Sequence, residues 1–504
     1  VNGRRTLAVI WGSLALAVGG VARADDALVA HVDGGRLRGH AEGPAIAFKG
    51  IAYAAPPVGT LRWAPPRAPA PWDGVKDAGA FGPVCPQKVG PRGPALAQSE
   101  ACLTLNVWRP ASVSTAAPVM VWLHGGGDVA GTASQPQFDG APFARDGVVF
   151  VSVEYRLGAL GWFAHPGLTR SATPGAPLAN YGLMDQIAAL RWVQRNIAAF
   201  GGDRRRVTLA GESAGAEAVL LLMTTPAARG LFAQAIVESA PGWVRDPDLA
   251  HAEADGEALA RRAGAPAGAS AVALRALPFE ALLAAQDDEM GPAIDGRLVD
   301  VQPADAFAAG RSAAVPLLIG SNNGEDNLLG GGDPKAVLAP LSASDRESLR
   351  AAYGAEASDD ALFGRLVFRD SFMGAPARWI AARQAPRAPT FLYRFDYLPG
   401  VVRLRLPRAR HGMEMLFVFE AMDRAPIPLP ATPGDQDEMT KVHGCWVAFV
   451  EAGRPDCPGG PAWPPYDPRQ DRLMLFGDAT TAIVPDPLAG VYAILDRLDA
   501  PAVR

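Results

Sequence analysis

Five residues, Gly211-Glu212-Ser213-Ala214-Gly215, leave this chain few ways to fold. They lie between a β-rich run, Arg206–Ala210, and an apolar helical run, Ala216–Met223. A strand that turns into a helix this sharply needs glycines on both flanks, because side chains there would collide with the strand and the helix. The turn projects its central residue, Ser213, above the sheet edge. The helix that follows aims its N-terminal dipole at the same point, where it favours negative charge.

The rest of the chain supplies a sheet for this turn. Strand candidates at Leu103–Trp108, Val119–Leu123, Val148–Tyr155, Ala235–Glu238, Pro316–Ile319 and Phe391–Phe395 alternate with helical patterns at Tyr181–Phe200 and Asp435–Glu451. In the first of these helices Leu183, Ile187, Leu190, Trp192 and Ile197 roughly follow helical spacing. The alternation predicts an α/β fold with a mainly parallel sheet. Short β-rich pieces from Leu28 to Tyr53 predict antiparallel additions at one edge, and the Ala-rich stretch Ala250–Ala285 is expected to be a helical insertion over the sheet's end. The 55 Gly and 46 Pro are dispersed rather than gathered into a linker, so residues 25–504 are expected to form one domain.

A serine on such a turn needs oxyanion donors, a base and an acid. His124-Gly125-Gly126-Gly127 directly follows the strand Val119–Leu123. Consecutive glycines let backbone N–H groups approach a tetrahedral oxyanion, and Gly126, Gly127 and Ala214 are the candidate donors. A nucleotide-binding loop would open a helix here, whereas the chain continues as loop through Thr132–Pro136. Of the seven His, only His411 and His443 follow Ser213 far enough downstream for the order Ser, acid, His. His443 falls inside the late helix beside Trp446, a packing position. His411 follows a loop and is the candidate base. The acid should follow the strand Pro316–Ile319, where Glu325 and Asp326 both qualify by spacing.

The N-terminus reads as an export signal. Arg4 and Arg5 precede an apolar stretch, Leu7–Val18, and Ala22-Arg23-Ala24 supplies a small-x-small cleavage site, so residues 1–24 are expected to be removed. The apolar stretch is too short to span a membrane core of about 30 Å comfortably. Arg4-Arg5-Thr6-Leu7 matches a twin-arginine signal in part. The four cysteines, Cys85, Cys102, Cys445 and Cys457, fit an oxidising, secreted or periplasmic destination, with two bridges and three possible connectivities. No Cys-x-x-Cys occurs, and no metal or organic cofactor is expected. A net charge of −5 without a long basic run excludes a nucleic-acid partner.

With these residues in place the chain resembles the type-B carboxylesterases, the cholinesterase-like branch of the α/β-hydrolases, from about Gly50 to Tyr466. The most specific segment is Asn180-Tyr181-Gly182-Leu183-Met184-Asp185-Gln186 through Ala189–Ile197, followed by Phe200-Gly201-Gly202-Asp203 and Gly211–Gly215. Weaker matches are Pro56–Gly59, Cys102–Trp108, Tyr155–Gly158 and Trp463–Tyr466. The resemblance implies an α/β-hydrolase fold with helices on both faces of the sheet. It implies a serine ester hydrolase with Ser213 as nucleophile, His411 as base and Glu325 as acid, Asp326 being the reserve. It places Glu212 and Ser239 next to those groups and implies a disulfide between Cys85 and Cys102; the remaining two cysteines, Cys445 and Cys457, are the candidate second pair by nearest-neighbour pairing. Where the family often has an aromatic residue after the oxyanion glycines, this chain has Asp128, which either makes the acyl-side entrance polar or caps a turn.

The cholinesterases hold a quaternary ammonium against a tryptophan in the first disulfide loop. Here Pro86–Ala101 contains no aromatic residue and carries Lys88 and Arg92. Arg403, Arg405, Arg408 and Arg410 precede His411, either as a solvated basic face or as part of the mouth. The expected substrate is therefore a small neutral or anionic ester rather than a choline ester. The other functions compatible with this chain are an acyltransferase or thioesterase using the same acyl-enzyme, and a non-catalytic binding module on the same scaffold.

Overall fold

The computed structural model describes residues 26–88, 97–112, 116–287 and 290–498. The expected export signal, residues 1–24, and Arg92 lie outside the described residues.

Among the described residues eleven strands form the principal sheet. In chain order they are β1 (His40–Glu42), β2 (Ala45–Ala52), β3 (Thr104–Pro110), β4 (Ala117–Leu123), β5 (Val149–Val153), β6 (Gly202–Glu212), β7 (Gln234–Glu238), β8 (Leu317–Asn322), β9 (Thr390–Phe395), β10 (Arg472–Phe476) and β11 (Thr481–Pro485). Their spatial order is β1-β2-β3-β5-β4-β6-β7-β8-β9-β10-β11. From β5 to β10 every pairing is parallel. The N-terminal strands β1, β2 and β3 add antiparallel at one edge, as the early β-rich pieces implied, and β11 adds antiparallel at the other. Val29–Val32, Gly35–Arg38 and Val75–Asp77 make a separate small sheet.

The central strands read as unbroken apolar runs because both faces are covered. On β4, Val119, Val121 and Leu123 join one core while Met120 and Trp122 join the other. The first core is completed by helix α1 (Tyr181–Asn196) and helix α2 (Ala214–Thr224), the second by helix α3 (Pro433–Ala452). Asp185 on α1 accepts bonds from the Arg156 guanidinium at 2.7 Å, with both side chains buried, so two of the motifs read separately in the sequence meet in one ion pair.

The Ala-rich insertion is three helices, Leu249–Arg262, Ala271–Arg275 and Phe279–Ala285. Gln286, just after it, accepts from Ala159 N at 2.9 Å, which ties the insertion to the segment leaving the C-terminal end of β5. Among the elements not foreseen in the sequence are the β10–β11 hairpin at the edge and the helices between Ala343 and Gln384. The disulfides are Cys85–Cys102 and Cys445–Cys457. Among the described residues no helix is long and apolar enough to cross a membrane.

Candidate active site

Parallel strands bring their C-terminal ends to one edge, and the registers set how close those ends are. Leu123 pairs with Gly211, Gly211 with Val237, and Glu238 with Gly320. The residues that follow β4, β6, β7 and β8 therefore emerge side by side. They are the glycine loop, Ser213, Ser239 and Glu325.

Ser213 has φ 59° and ψ −127°, a backbone conformation that costs a non-glycine residue about 1–3 kcal/mol and persists only where its surroundings enforce it. The enforcement is visible. Ser213 N donates to Glu238 O at 2.9 Å. A Cβ on Gly211 would lie 2.5 Å from the Gly215 carbonyl, and one on Gly215 would lie 2.2 Å from Leu123 O. Both glycines are therefore required.

The glycine loop is pressed against this turn: a Cβ on Gly125 would lie 2.8 Å from Ser213 Cβ. Gly126 and Gly127 have φ values of 125° and 61°, and a side chain at Gly126 would strike Ala130 O at 2.1 Å. Among the described residues the N–H groups of Gly126, Gly127 and Ala214 donate to no protein acceptor. The loop is anchored by Tyr155, whose hydroxyl donates to His124 O at 2.5 Å and whose ring stacks on the His124 imidazole.

His411 arrives from the long segment after β9. Three asparagines fasten that segment to the end of β8. Asn322 Nδ2 donates to Arg410 O at 2.9 Å, Ala409 N donates to Asn323 Oδ1 at 2.7 Å, and His411 N donates to Asn327 Oδ1 at 2.8 Å. These three residues were missed in the sequence, where they look like ordinary loop asparagines. The imidazole Nδ1 lies 2.6 Å from Glu325 Oε2. Glu325 is fully buried, and its other oxygen accepts from Ser239 Oγ at 2.6 Å and Asn322 N at 2.8 Å. Asp326 points elsewhere, onto the Arg408 guanidinium at 3.2 Å.

The other imidazole nitrogen, Nε2, lies 3.0 Å from Glu212 Oε1, and Ser213 Oγ makes no hydrogen bond among the described residues. Burial alone would lower the basicity of His411, but the Glu212 and Glu325 carboxylates outweigh it and hold the imidazole well above its ordinary value. Glu414 lies behind this pair. Burial, with Glu212 and Glu325 nearby, pushes its carboxyl up to about 8. His443 is buried on α3, bonded to Val418 O and Asp146, in the packing role its helix position implied. Among the described residues no group of three or more His, Cys, Asp or Glu is set to hold a metal ion.

A serine on a strained strand–helix turn, three unengaged amides beside it and a histidine backed by a buried glutamate are the parts a serine hydrolase of the α/β-hydrolase fold needs. The matches to known proteins narrow this further. A family model described as carboxylesterase family matches residues 26–358 and 355–487. A fumonisin B1 esterase from Sphingopyxis macrogoltabida is 35% identical over 94% of this chain and 91% of its own length. The para-nitrobenzyl esterase of Bacillus subtilis is 34% identical over 90% of this chain and 95% of its own. Among solved structures, a carboxylesterase from Geobacillus stearothermophilus superimposes with a TM-score of 0.82 at 32% identity, over 93% of this chain and 100% of that one. The chain belongs to the carboxylesterase family and is a carboxylic ester hydrolase.

Proposed function

We propose that the protein hydrolyses esters through an acyl-enzyme on Ser213, with His411 as general base and acid and Glu325 as the acid that orients it. The observation that carries this reading is the 2.6 Å contact from Glu325 to His411 at the edge where the Ser213 turn emerges. Ser213 Oγ adds to the ester carbonyl carbon and gives its proton to His411 Nε2. For this Nε2 turns from Glu212 to Ser213, a hydrogen bond that commonly tightens only when substrate is bound. The carbonyl oxygen becomes an oxyanion and accepts from Gly126, Gly127 and Ala214 N–H. His411 then protonates the departing alkoxide. Water, deprotonated by the same nitrogen, adds to the acyl carbon, and Ser213 leaves with the proton.

The alcohol portion is neutral or anionic rather than choline. Supporting this, the Cys85–Cys102 loop has no aromatic residue to hold a quaternary ammonium. Of the four arginines before His411, Arg403 pairs with Asp478 and Arg408 with Asp326, while Arg410 is exposed directly beside the histidine. The protein acts outside the cytoplasm after loss of residues 1–24. The two disulfides support that destination.

A fluorophosphonate should label Ser213 stoichiometrically and abolish ester hydrolysis. Label on another serine with loss of activity refutes the nucleophile. A choline ester preferred by about tenfold or more in kcat/KM over an acyl-matched neutral ester, about 1.4 kcal/mol, refutes the substrate reading. Added alcohols or amines that divert most of the acyl group from water would move the protein to the acyltransferases.

A further inference from the structure

The oxyanion loop is framed by two buried polar side chains that the reaction above does not use. His124 opens the loop, and Glu154 directly follows β5. The backbone of Glu154 is fixed, with N donating to Thr104 O at 3.0 Å and O accepting from the Tyr53 hydroxyl at 2.7 Å. One carboxyl oxygen, Oε1, accepts from Ala133 N at 3.0 Å and from the Thr132 hydroxyl, so it holds the limb that returns from the three glycines. The other, Oε2, lies 3.9 Å from His124 Nε2. Both Oε2 and Nε2 are sealed from solvent without a hydrogen-bond partner.

Donor and acceptor chemistry fixes the protons. His124 Nδ1 lies 2.8 Å from Gly125 O. A carbonyl only accepts, so Nδ1 carries the hydrogen, and in the neutral ring Nε2 is a bare acceptor. Burial lowers the imidazole to about 4, which keeps the ring neutral. An ionised Glu154 would set a second bare acceptor, and an unmatched charge, opposite Nε2. A proton on Oε2 removes both defects. The other titratable groups around the pair are the phenols of Tyr53 and Tyr155, the acids Asp128 and Glu212, and Arg156, whose charge Asp185 already matches.

The bond to Gly125 O bears on catalysis. Gly125 C=O and Gly126 N–H belong to one planar trans peptide, so pinning the oxygen aims the N–H the opposite way. We propose that Glu154 is a positioning residue of the oxyanion hole that works as the neutral acid, its O–H directed at His124 Nε2 and its other oxygen holding Thr132 and Ala133. The inference rests on the acyl-enzyme reading and adds the device that orients the Gly126 donor. Glu154 O–H, the imidazole and the Gly125–Gly126 peptide form one chain of aligned dipoles that ends at the oxyanion. Loss of the acid proton breaks the chain at its first link and leaves a negative charge next to the loop that must stabilise another. Burial pushes the Glu154 carboxyl up to about 8, against the Thr132 and Ala133 bonds, which favour the charged form. Activity is therefore lost as pH rises through that value.

The test follows kcat and KM for a soluble aryl ester from about pH 6 to about pH 10 in wild type, Glu154→Gln and Thr132→Val, with active sites counted by fluorophosphonate. Wild-type kcat should fall by roughly tenfold or more above about pH 8 with little change in KM, part of the roughly 10²–10³ that one oxyanion donor carries. Glu154→Gln keeps an oxygen for Thr132 and Ala133 and turns an NH2 to Nε2, but cannot ionise. It should stay within about threefold of wild type near pH 7 and lose the alkaline limb. Thr132→Val removes a donor that favours the carboxylate, so its limb should move to higher pH. No alkaline limb in wild type, or the same limb in all three proteins, overturns the proposal. A Glu154→Gln enzyme slower by about tenfold or more near pH 7 also overturns it, because the carboxylate would then be the working form. If Glu154→Gln yields no labelled sites, an unmoved limb in Thr132→Val is enough to overturn it. Label on a serine other than Ser213 overturns the acyl-enzyme reading instead, so the two fail separately.

Discussion

Replacing Glu325 by Gln changes one atom, and the structure dictates where that atom must go. Oε1 of Glu325 faces two donors, Ser239 Oγ at 2.6 Å and Asn322 N at 2.8 Å, while Oε2 faces His411 Nδ1. An amide NH2 on the first side would oppose both donors in a fully buried site, where each unsatisfied group costs about 1–3 kcal/mol. The amide oxygen therefore stays with Ser239 and Asn322, and the NH2 turns to the imidazole. Nδ1 must then accept, which puts the ring proton on Nε2, the nitrogen that has to take the proton of Ser213. Geometry survives but the tautomer is wrong, and kcat should fall by about 10⁴. Asp326→Asn, whose carboxyl faces Arg408 instead, should stay within about threefold, as a partly exposed ion pair contributes little. The assay is kcat on an aryl ester, normalised to sites counted by fluorophosphonate and accompanied by a circular dichroism spectrum to confirm folding. A Glu325→Gln enzyme within tenfold of wild type, or an equal loss in Asp326→Asn, would refute the reasoning.

Because two carboxylates hold His411 above its ordinary value, the base form is lost on acidification earlier than for a free imidazole. The acid limb of kcat/KM should therefore lie above about pH 6.5, and Glu212→Gln should move it to lower pH; a pH–rate profile with no downward shift in that variant contradicts the electrostatic account. Asp185→Asn leaves Arg156 buried without its carboxylate and should cost about 3–5 kcal/mol, read as a lower urea midpoint with an unchanged slope. Opening the Cys445–Cys457 bridge with Cys457→Ser frees a short loop and should cost roughly 2–4 kcal/mol in the same experiment while leaving kcat within about twofold, since it lies on α3 and the segment after it. Protein exported by its native host should begin at Asp25 on N-terminal sequencing; retention of residues 1–24 would refute the cleaved signal.

What the sequence made legible was local. The Gly211–Gly215 turn could be read because two glycines within five residues have a steric necessity, and the structure finds contacts of 2.5 and 2.2 Å at those positions. Helix α1 was readable from its spacing, and the antiparallel N-terminal strands from their short alternation. What escaped depends on contacts between segments far apart in the chain. Spacing left Glu325 and Asp326 equivalent, since both follow the same strand; they differ only because one faces His411 and the other Arg408, each more than 80 residues away. The asparagines that carry the His411 segment were invisible for the same reason. The β10–β11 hairpin was missed because each strand is only five residues long, too short for a pattern that separates a strand from a loop, and β11 is held by its pairing with β10 rather than by deep burial. Asp128 is the instructive case. Its sequence context allowed a turn cap or a polar entrance, and a cap satisfies its carboxyl locally. In the fold, its carbonyl accepts from Gly158 N and Trp162 Nε1, and among the described residues its carboxyl has no hydrogen-bond partner. A local pattern can name the candidate nucleophile, but the asparagines and the glutamate that position its histidine come from segments that only the fold brings together.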